Sequence, residues 1–286
     1  MYLKESYKLS NGVLIPKVGL GTWLIDNNDV NDVVSNAISL GYRHIDTAQA
    51  YLNEEGVGLG IIKSGVDRKD LFITSKIAAE LKDFDRAYKS IDETLEKLNL
   101  EYIDLLIIHS PEPWNDFRGT SHYFSGNIEA YRALEVAYKK GKIKAIGVSN
   151  FLQEDLENII NNCEIKPMVN QILAHVSNTP FSLIEYCNKN DILVEAYSPI
   201  GHGELLKNKT LIEMAKKYHV SISSLCIKYI LSLGLVALPK ARSLEHLKDN
   251  INLDFDISDK DMEELKNMPK IENYGEHSFF PVFSGK

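Results

Sequence analysis

Long apolar stretches are missing from this chain. No run of about 18 apolar residues occurs, so no segment reads as a membrane-spanning helix. The opening MYLKESYKLSNG lacks the apolar core that a secretory signal needs, and a cytoplasmic protein is expected. Cysteine is scarce. Cys163, Cys187 and Cys226 are odd in number and far apart, which argues against a disulfide framework or a CxxC metal site, and no metal is expected. An excess of positive charge is missing too. The formal net charge of −8 disfavours nucleic acid and anionic membranes as partners, although a basic patch around Lys240 could hold a phosphate. HExxH and Walker A patterns are absent, so metalloprotease and P-loop NTPase readings have no support. The glycine-rich GVGLG at 56–60 is not GxGxxG and falls inside a helical pattern with no strand before it, so it is rejected as a phosphate loop.

What the chain does contain is a regular alternation. Short apolar, β-branched runs take turns with segments of helical period, and this βα order predicts a parallel sheet. Eight strand candidates stand out: Val18–Gly21, His44–Thr47, Leu71–Ser75, Ile103–His109, Ala145–Ser149, Met168–Ile172, Leu193–Tyr197 and Val236–Pro239. Eight units within 286 residues predict one (β/α)8 TIM barrel domain over 1–286 rather than a doubly wound sheet. SerAsnGly, between YKL and VLI, predicts an N-terminal hairpin that plugs the barrel bottom. Three segments exceed what a barrel needs: a connection over 110–127, two auxiliary helices (NKTLIEMAKKYH, then SISSLCIKYILSLG) between strands seven and eight, and a tail from Ile271 to Lys286 ending near FFPVF. The long loop and the aromatic tail are expected to shape the mouth.

Four polar residues stand at or just beyond strand ends: Asp46, Tyr51, Lys76 and His109. In a barrel those ends point into the active-site mouth. The chain also carries GLGTW at 19–23, DTAQAYLNE at 46–54, ITSK at 73–76, LIIHS at 106–110, GVSNF at 147–151, VNQI at 169–172, AYSPIGHG at 196–203, and LPK at 238–240 with Asn250 beyond. In this order the motifs resemble the aldo-keto reductases, NAD(P)H-dependent (β/α)8-barrel enzymes, nearly end to end. The four polar residues match that family's catalytic tetrad, and elementary chemistry gives each a task. A tyrosine with a pKa of about 10 is a poor acid at neutral pH, so a phenol that protonates a carbonyl oxygen needs a cation beside its phenolate. Lys76 can supply the cation, Asp46 can hold Lys76 charged, and His109 can donate a hydrogen bond to the substrate oxygen.

The resemblance implies further residues. Ser149, Asn150 and Gln171 occupy positions that bind the nicotinamide carboxamide, and Tyr197 the ring that stacks on the nicotinamide. Gly21 and Thr22, with Asp46, border the same pocket, and Ser198 and Ile200 lie along the pyrophosphate. Lys240, Arg242, His246 and Asn250 fall in the segment for the 2′-phosphate, which implies NADPH, with NADH as the alternative. Trp23, Tyr51, His109 and Trp114, with Phe279 or Phe280, are expected to line the substrate pocket. The chain departs from the common family pattern at Ser110, where many members have tryptophan, in LAHV at 173–176, and at Ala241 and His246, where serine and arginine are common. The implied activity is reduction of an aldehyde or activated ketone by a cytoplasmic monomer, with Tyr51 as general acid. A cofactor-binding barrel acting as a redox sensor or structural subunit is the alternative.

Overall fold

A computed structural model describes residues 2–284. Met1, Gly285 and Lys286, the ends of the expected domain and tail, lie outside the described residues. The chain opens with an antiparallel hairpin, β1 (Ser6–Lys8) and β2 (Leu14–Pro16), with Tyr7 opposite Ile15 and the SerAsnGly turn between them. The Asn11 amide donates to the carbonyl of Lys144 at 2.9 Å, at the start of a barrel strand, so the hairpin caps the N-terminal end of the barrel as expected.

Eight parallel strands follow in chain order: β3 (Leu20–Gly21), β4 (His44–Asp46), β5 (Phe72–Ile77), β6 (Ile103–Ile108), β7 (Ile143–Ser149), β8 (Val169–Leu173), β9 (Leu193–Tyr197) and β10 (Val236–Leu238). The first and last meet through backbone bonds from Gly19 to the Ala237 carbonyl (2.9 Å) and from Gly21 to the Pro239 carbonyl (3.0 Å). The (β/α)8 barrel is therefore as the alternation predicts. All six residues of β5 are buried, as a strand covered on one face by helices and on the other by the barrel interior requires.

The helices between strands are α1 (Asn27–Ser39), α2 (Glu54–Ser64), α3 (Phe84–Leu98), α4 (Phe124–Lys139), α5 (Gln153–Asn162) and α6 (Phe181–Lys189). The two expected helices between the last strands are α7 (Lys209–Tyr218) and α8 (Ile222–Ser232), started by the side chains of Asn208 and Ser221 accepting from Leu211 and Ser224 amides. The glycines of GVGLG lie inside α2 and serve packing. A Cβ on Gly56 would come within 2.1 Å of the Asn27 carbonyl and one on Gly58 within 2.4 Å of the Leu98 carbonyl, so they let α2 press against α1 and the end of α3.

Some expectations need correcting. Lys76 lies inside β5 rather than beyond its run, because the strand continues to Ile77. The loop expected over 110–127 ends at Tyr123, since Phe124–Asn127 already form the first turn of α4. Two further helices, α9 (Leu244–Asp249) and α10 (Asp259–Lys266), follow the last strand; α10 buries Asp261, which takes hydrogen bonds from Lys217 and Tyr218 of α7.

Candidate active site

Period-two alternation puts His44 and Asp46 of β4, Thr74 and Lys76 of β5, Gln171 of β8, and Glu195 and Tyr197 of β9 toward the barrel axis. Lys76, fully buried, donates to Asp46 Oδ1 at 2.6 Å, to the Thr47 carbonyl at 2.8 Å and to the Tyr51 hydroxyl at 3.2 Å. Burial opposes its charge, but Asp46 and Tyr51 more than offset this and hold its pKa above the ordinary lysine value. Burial raises the Tyr51 phenol; the Lys76 ammonium pulls it back without overcoming that rise. Tyr51 therefore stays protonated, and the cation acts when charge develops on its oxygen.

Tyr51 stands on a short 3₁₀ turn, Gln49–Tyr51, outside any strand. Two amides that the sequence reading passed over fix this turn. Buried Asn53 accepts from Thr47 Oγ1 (2.7 Å) and donates to the carbonyls of Thr22 (3.0 Å) and Ile25 (2.9 Å). Gln49 donates to Ser90 and Thr94 of α3 and accepts from the Ala78 amide.

His109 follows β6, its ring 5.5 Å from that of Tyr51 and at 72° to it. Burial, then the nearby Lys76 charge, push its pKa well below the ordinary histidine value, so it is neutral. Among the described residues its buried Nδ1 has no partner. Only the tautomer with hydrogen on Nε2 avoids orphaning a buried N–H, so the donor is Nε2.

These residues open on a cavity of about 310 Å³ lined by Gly21, Trp23, Asp46, Tyr51, His109, Trp114, Ser149, Asn150, Gln171, Tyr197, Ser198, Ile200, Lys240, His246 and Asn250. The fold thus brings together nearly all the expected site residues. Three of the catalytic and cofactor residues do not reach the wall. Lys76 sits behind Tyr51, and Thr22 is buried with its hydroxyl on the Asp46 carbonyl (2.9 Å). Arg242, placed with Lys240 in the segment expected for the 2′-phosphate, donates to the Leu24 carbonyl. Of the two expected tail aromatics, Phe280 packs on Trp23 and Trp114 at 5.2 and 4.8 Å, while Phe279 is 75% exposed and leaves the pocket.

The sequence reading also missed His202 and His277 on the wall, where Phe283 of the aromatic tail joins them. His202 stacks on His277 at 4.3 Å and meets Phe283 edge-on. The LAHV departure has a structural use: buried His175 bonds the Tyr274 hydroxyl at 2.9 Å and anchors the start of the tail. A last residue, Glu195, lies just beneath the site. Burial and the nearby Asp46 push its carboxyl up to about 8. Between the ordinary 4.5 and about 8 the unfolded chain has released a proton that the folded chain keeps, so stability is lost as pH rises through that window. Glu195→Gln should remove this slope, and its gain over wild type in urea unfolding should grow from about pH 5 to about pH 8. A gain that stays constant with pH would show that Glu195 is not held protonated.

The donor set suits a nicotinamide dinucleotide phosphate. The lining holds neutral amides, a hydroxyl and the Tyr197 ring, and with them the Lys240 ammonium and His246. Among the described residues no protein group engages the side-chain oxygen of Gln171, whose NH2 goes to Asp46 (2.8 Å) and Glu195 (3.0 Å). A family model described as "Aldo/keto reductase family" matches residues 17–269. The chain belongs to the aldo/keto reductase family. It is 41% identical to the glyoxal reductase of Bacillus subtilis (strain 168) over 96% of each chain, and 36% identical to the 9,11-endoperoxide prostaglandin H2 reductase of Trypanosoma cruzi (strain CL Brener) over 96% of this chain and 95% of that one. The structure of a Bombyx mori aldo-keto reductase in complex with NADP superposes with a TM-score of 0.86, at 31% identity over 98% of both chains. This reductase is thus an oxidoreductase that reduces carbonyls with a nicotinamide cofactor of the NADPH type. The sensor alternative finds no support among these relatives. Among the described residues no helix is long and apolar enough to cross a membrane, and no group of three or more His, Cys, Asp or Glu is placed to hold a metal.

Proposed function

We propose that the protein reduces small aldehydes and activated ketones with NADPH, with Tyr51 as the proton donor. The observation that carries this is the Asp46–Lys76–Tyr51 chain ending beside His109 at the cavity floor. His109 Nε2–H and the Tyr51 hydroxyl converge on the substrate oxygen and fix the carbonyl's orientation. When bound, the cofactor supplies hydride from nicotinamide C4 to the carbonyl carbon. As charge builds on oxygen, Tyr51 transfers its proton and Lys76, held by Asp46, stabilises the phenolate left behind.

Ser149, Asn150 and Gln171 would hold the carboxamide, and Tyr197, fixed by its hydroxyl on Asn150 Oδ1 at 2.6 Å, would present the face on which the nicotinamide stacks. Gly21, Ser198 and Ile200 would line the path to Lys240, His246 and Asn250. Trp23, Trp114 and Phe280 would form the apolar wall for the substrate. Because one relative is a glyoxal reductase, small dicarbonyls are the first substrates to try. One barrel domain over 1–286 acting as a cytoplasmic monomer is consistent with a cavity lined from one chain and with three free thiols. NADPH oxidation across a panel of dicarbonyls, aldehydes, ketones and sugars tests the reading; tight NADPH binding with no turnover on any of them would overturn it.

The 2′-phosphate site should give a modest preference for NADPH. Burial, then the nearby Arg242, lower the pKa of Lys240, and His246 lacks the permanent bidentate charge of an arginine. A hydrogen bond to a charged group contributes about 1.5 to 3 kcal/mol, or one to two decades in affinity. His246→Arg should therefore raise the NADPH to NADH ratio of kcat/KM about tenfold or more, and Lys240→Ala should lower it comparably. No change in either variant would show that the phosphate binds elsewhere.

A further inference from the structure

We infer that Glu195 is a positioning residue: together with Asp46 it holds both N–H groups of the Gln171 side chain and so fixes the plane of that amide with its oxygen toward the cavity. Glu195 lies at the centre of LVEAY, fully buried, paired in register with Gln171 across β8 and β9. A carboxyl in the middle of an apolar strand, with nothing but barrel interior around it, needs a reason. Gln171 Nε2 reaches Asp46 Oδ2 at 2.8 Å on one side and Glu195 Oε2 at 3.0 Å on the other.

The geometry matters because an amide held by one hydrogen bond can swing about it, whereas one held by both of its N–H bonds has a fixed plane. Asp46 alone would leave the second N–H buried and unpaired, which is costly in a dry interior. Glu195 supplies that second acceptor without adding a second negative charge. Two carboxyl groups share this buried site with the single ammonium of Lys76, and burial beside Asp46 keeps Glu195 protonated at neutral pH. The other neighbour facing it, His44, is neutral as well: burial pushes its pKa down to about 3, and its Nε2 lies 2.9 Å from Thr74 Oγ1 and 3.7 Å from Glu195 Oε1. With its NH2 fully occupied, Gln171 offers the cavity only an acceptor. That acceptor suits the NH2 of a carboxamide.

The inference rests on the reading of Gln171 as a carboxamide partner, and the test separates the two. Dissociation constants would be measured by protein fluorescence for NADPH and for its reduced 3-acetylpyridine analogue, whose acetyl group cannot donate. Wild type should bind the analogue about fivefold more weakly, which is what one neutral hydrogen bond contributes. Gln171→Leu should erase that ratio. Glu195→Leu, or Glu195→Met if the leucine variant does not fold, should reduce it to below about twofold, while Glu195→Gln, which keeps an acceptor oxygen, should hold it near the wild-type value. A wild-type ratio near one, or one that survives Gln171→Leu, overturns the reading of Gln171 and the inference with it. A ratio erased by Gln171→Leu but retained in a folded Glu195→Leu or Glu195→Met protein leaves the cofactor reading standing and overturns the role of Glu195.

Discussion

Replacing Tyr51 by phenylalanine should reduce kcat for an aldehyde by about 10² to 10⁴ while leaving NADPH affinity within about twofold of wild type. The ring itself has structural tasks that phenylalanine can perform: it packs edge-on to His109 and lies under the Lys76 ammonium, 4.8 Å from the centroid. Only the hydroxyl is lost, and it sits at the end of the ion-pair chain, facing the cavity. Burial already holds this phenol above its ordinary pKa, so it carries its proton throughout the neutral range. The loss of rate should therefore be nearly independent of pH there, rather than titrating away. Stopped-flow measurement of cofactor oxidation separates chemistry from product release. If the chemical step in the variant kept more than a tenth of its rate, another group would be the acid.

Much of this architecture can be read from residue order. Apolar runs of strand length, each meeting an ionisable group near its end, place Asp46 and His109 at the mouth because barrel strands all point the same way. Boundaries were less legible. The strand holding Lys76 continues to Ile77 because its lysine is consumed by an interior ion pair, so the charge that looked like a stop signal is part of the barrel core. The residues that hold Tyr51 in place, Asn53 and Gln49, were hidden for another reason: their partners are backbone carbonyls and α3 side chains up to 45 positions away, and no local pattern reports them. Arg242 illustrates the limit of sequence proximity. Two positions from Lys240 and close enough to lower its pKa, it still donates to the Leu24 carbonyl, a partner 218 positions away that no local pattern reports. Glu195 carried a visible signal, a carboxyl between Val194 and Ala196 in an otherwise apolar strand, but its meaning depends on Gln171 in the neighbouring strand.

Lys76→Met should both silence the enzyme and destabilise it by about 3 to 5 kcal/mol, the cost of leaving one member of a buried ion pair without its partner. Methionine fills most of the volume of the lysine stem, so little of the loss comes from packing. What remains is the Asp46 carboxylate, buried beside Glu195 and, among the described residues, supported by one N–H of Gln171 on Oδ2. One consequence distinguishes this from simple disruption of the barrel. The double variant Asp46→Asn with Lys76→Met should recover much of the lost stability, since replacing both partners leaves no charge behind, yet it should remain as inactive as the single variant. Urea unfolding, with turnover measured on the same preparations, checks this. A double variant no more stable than Lys76→Met alone would mean that an unpaired Asp46 charge is not the source of the loss, and the electrostatic account of Tyr51 activation would lose its support.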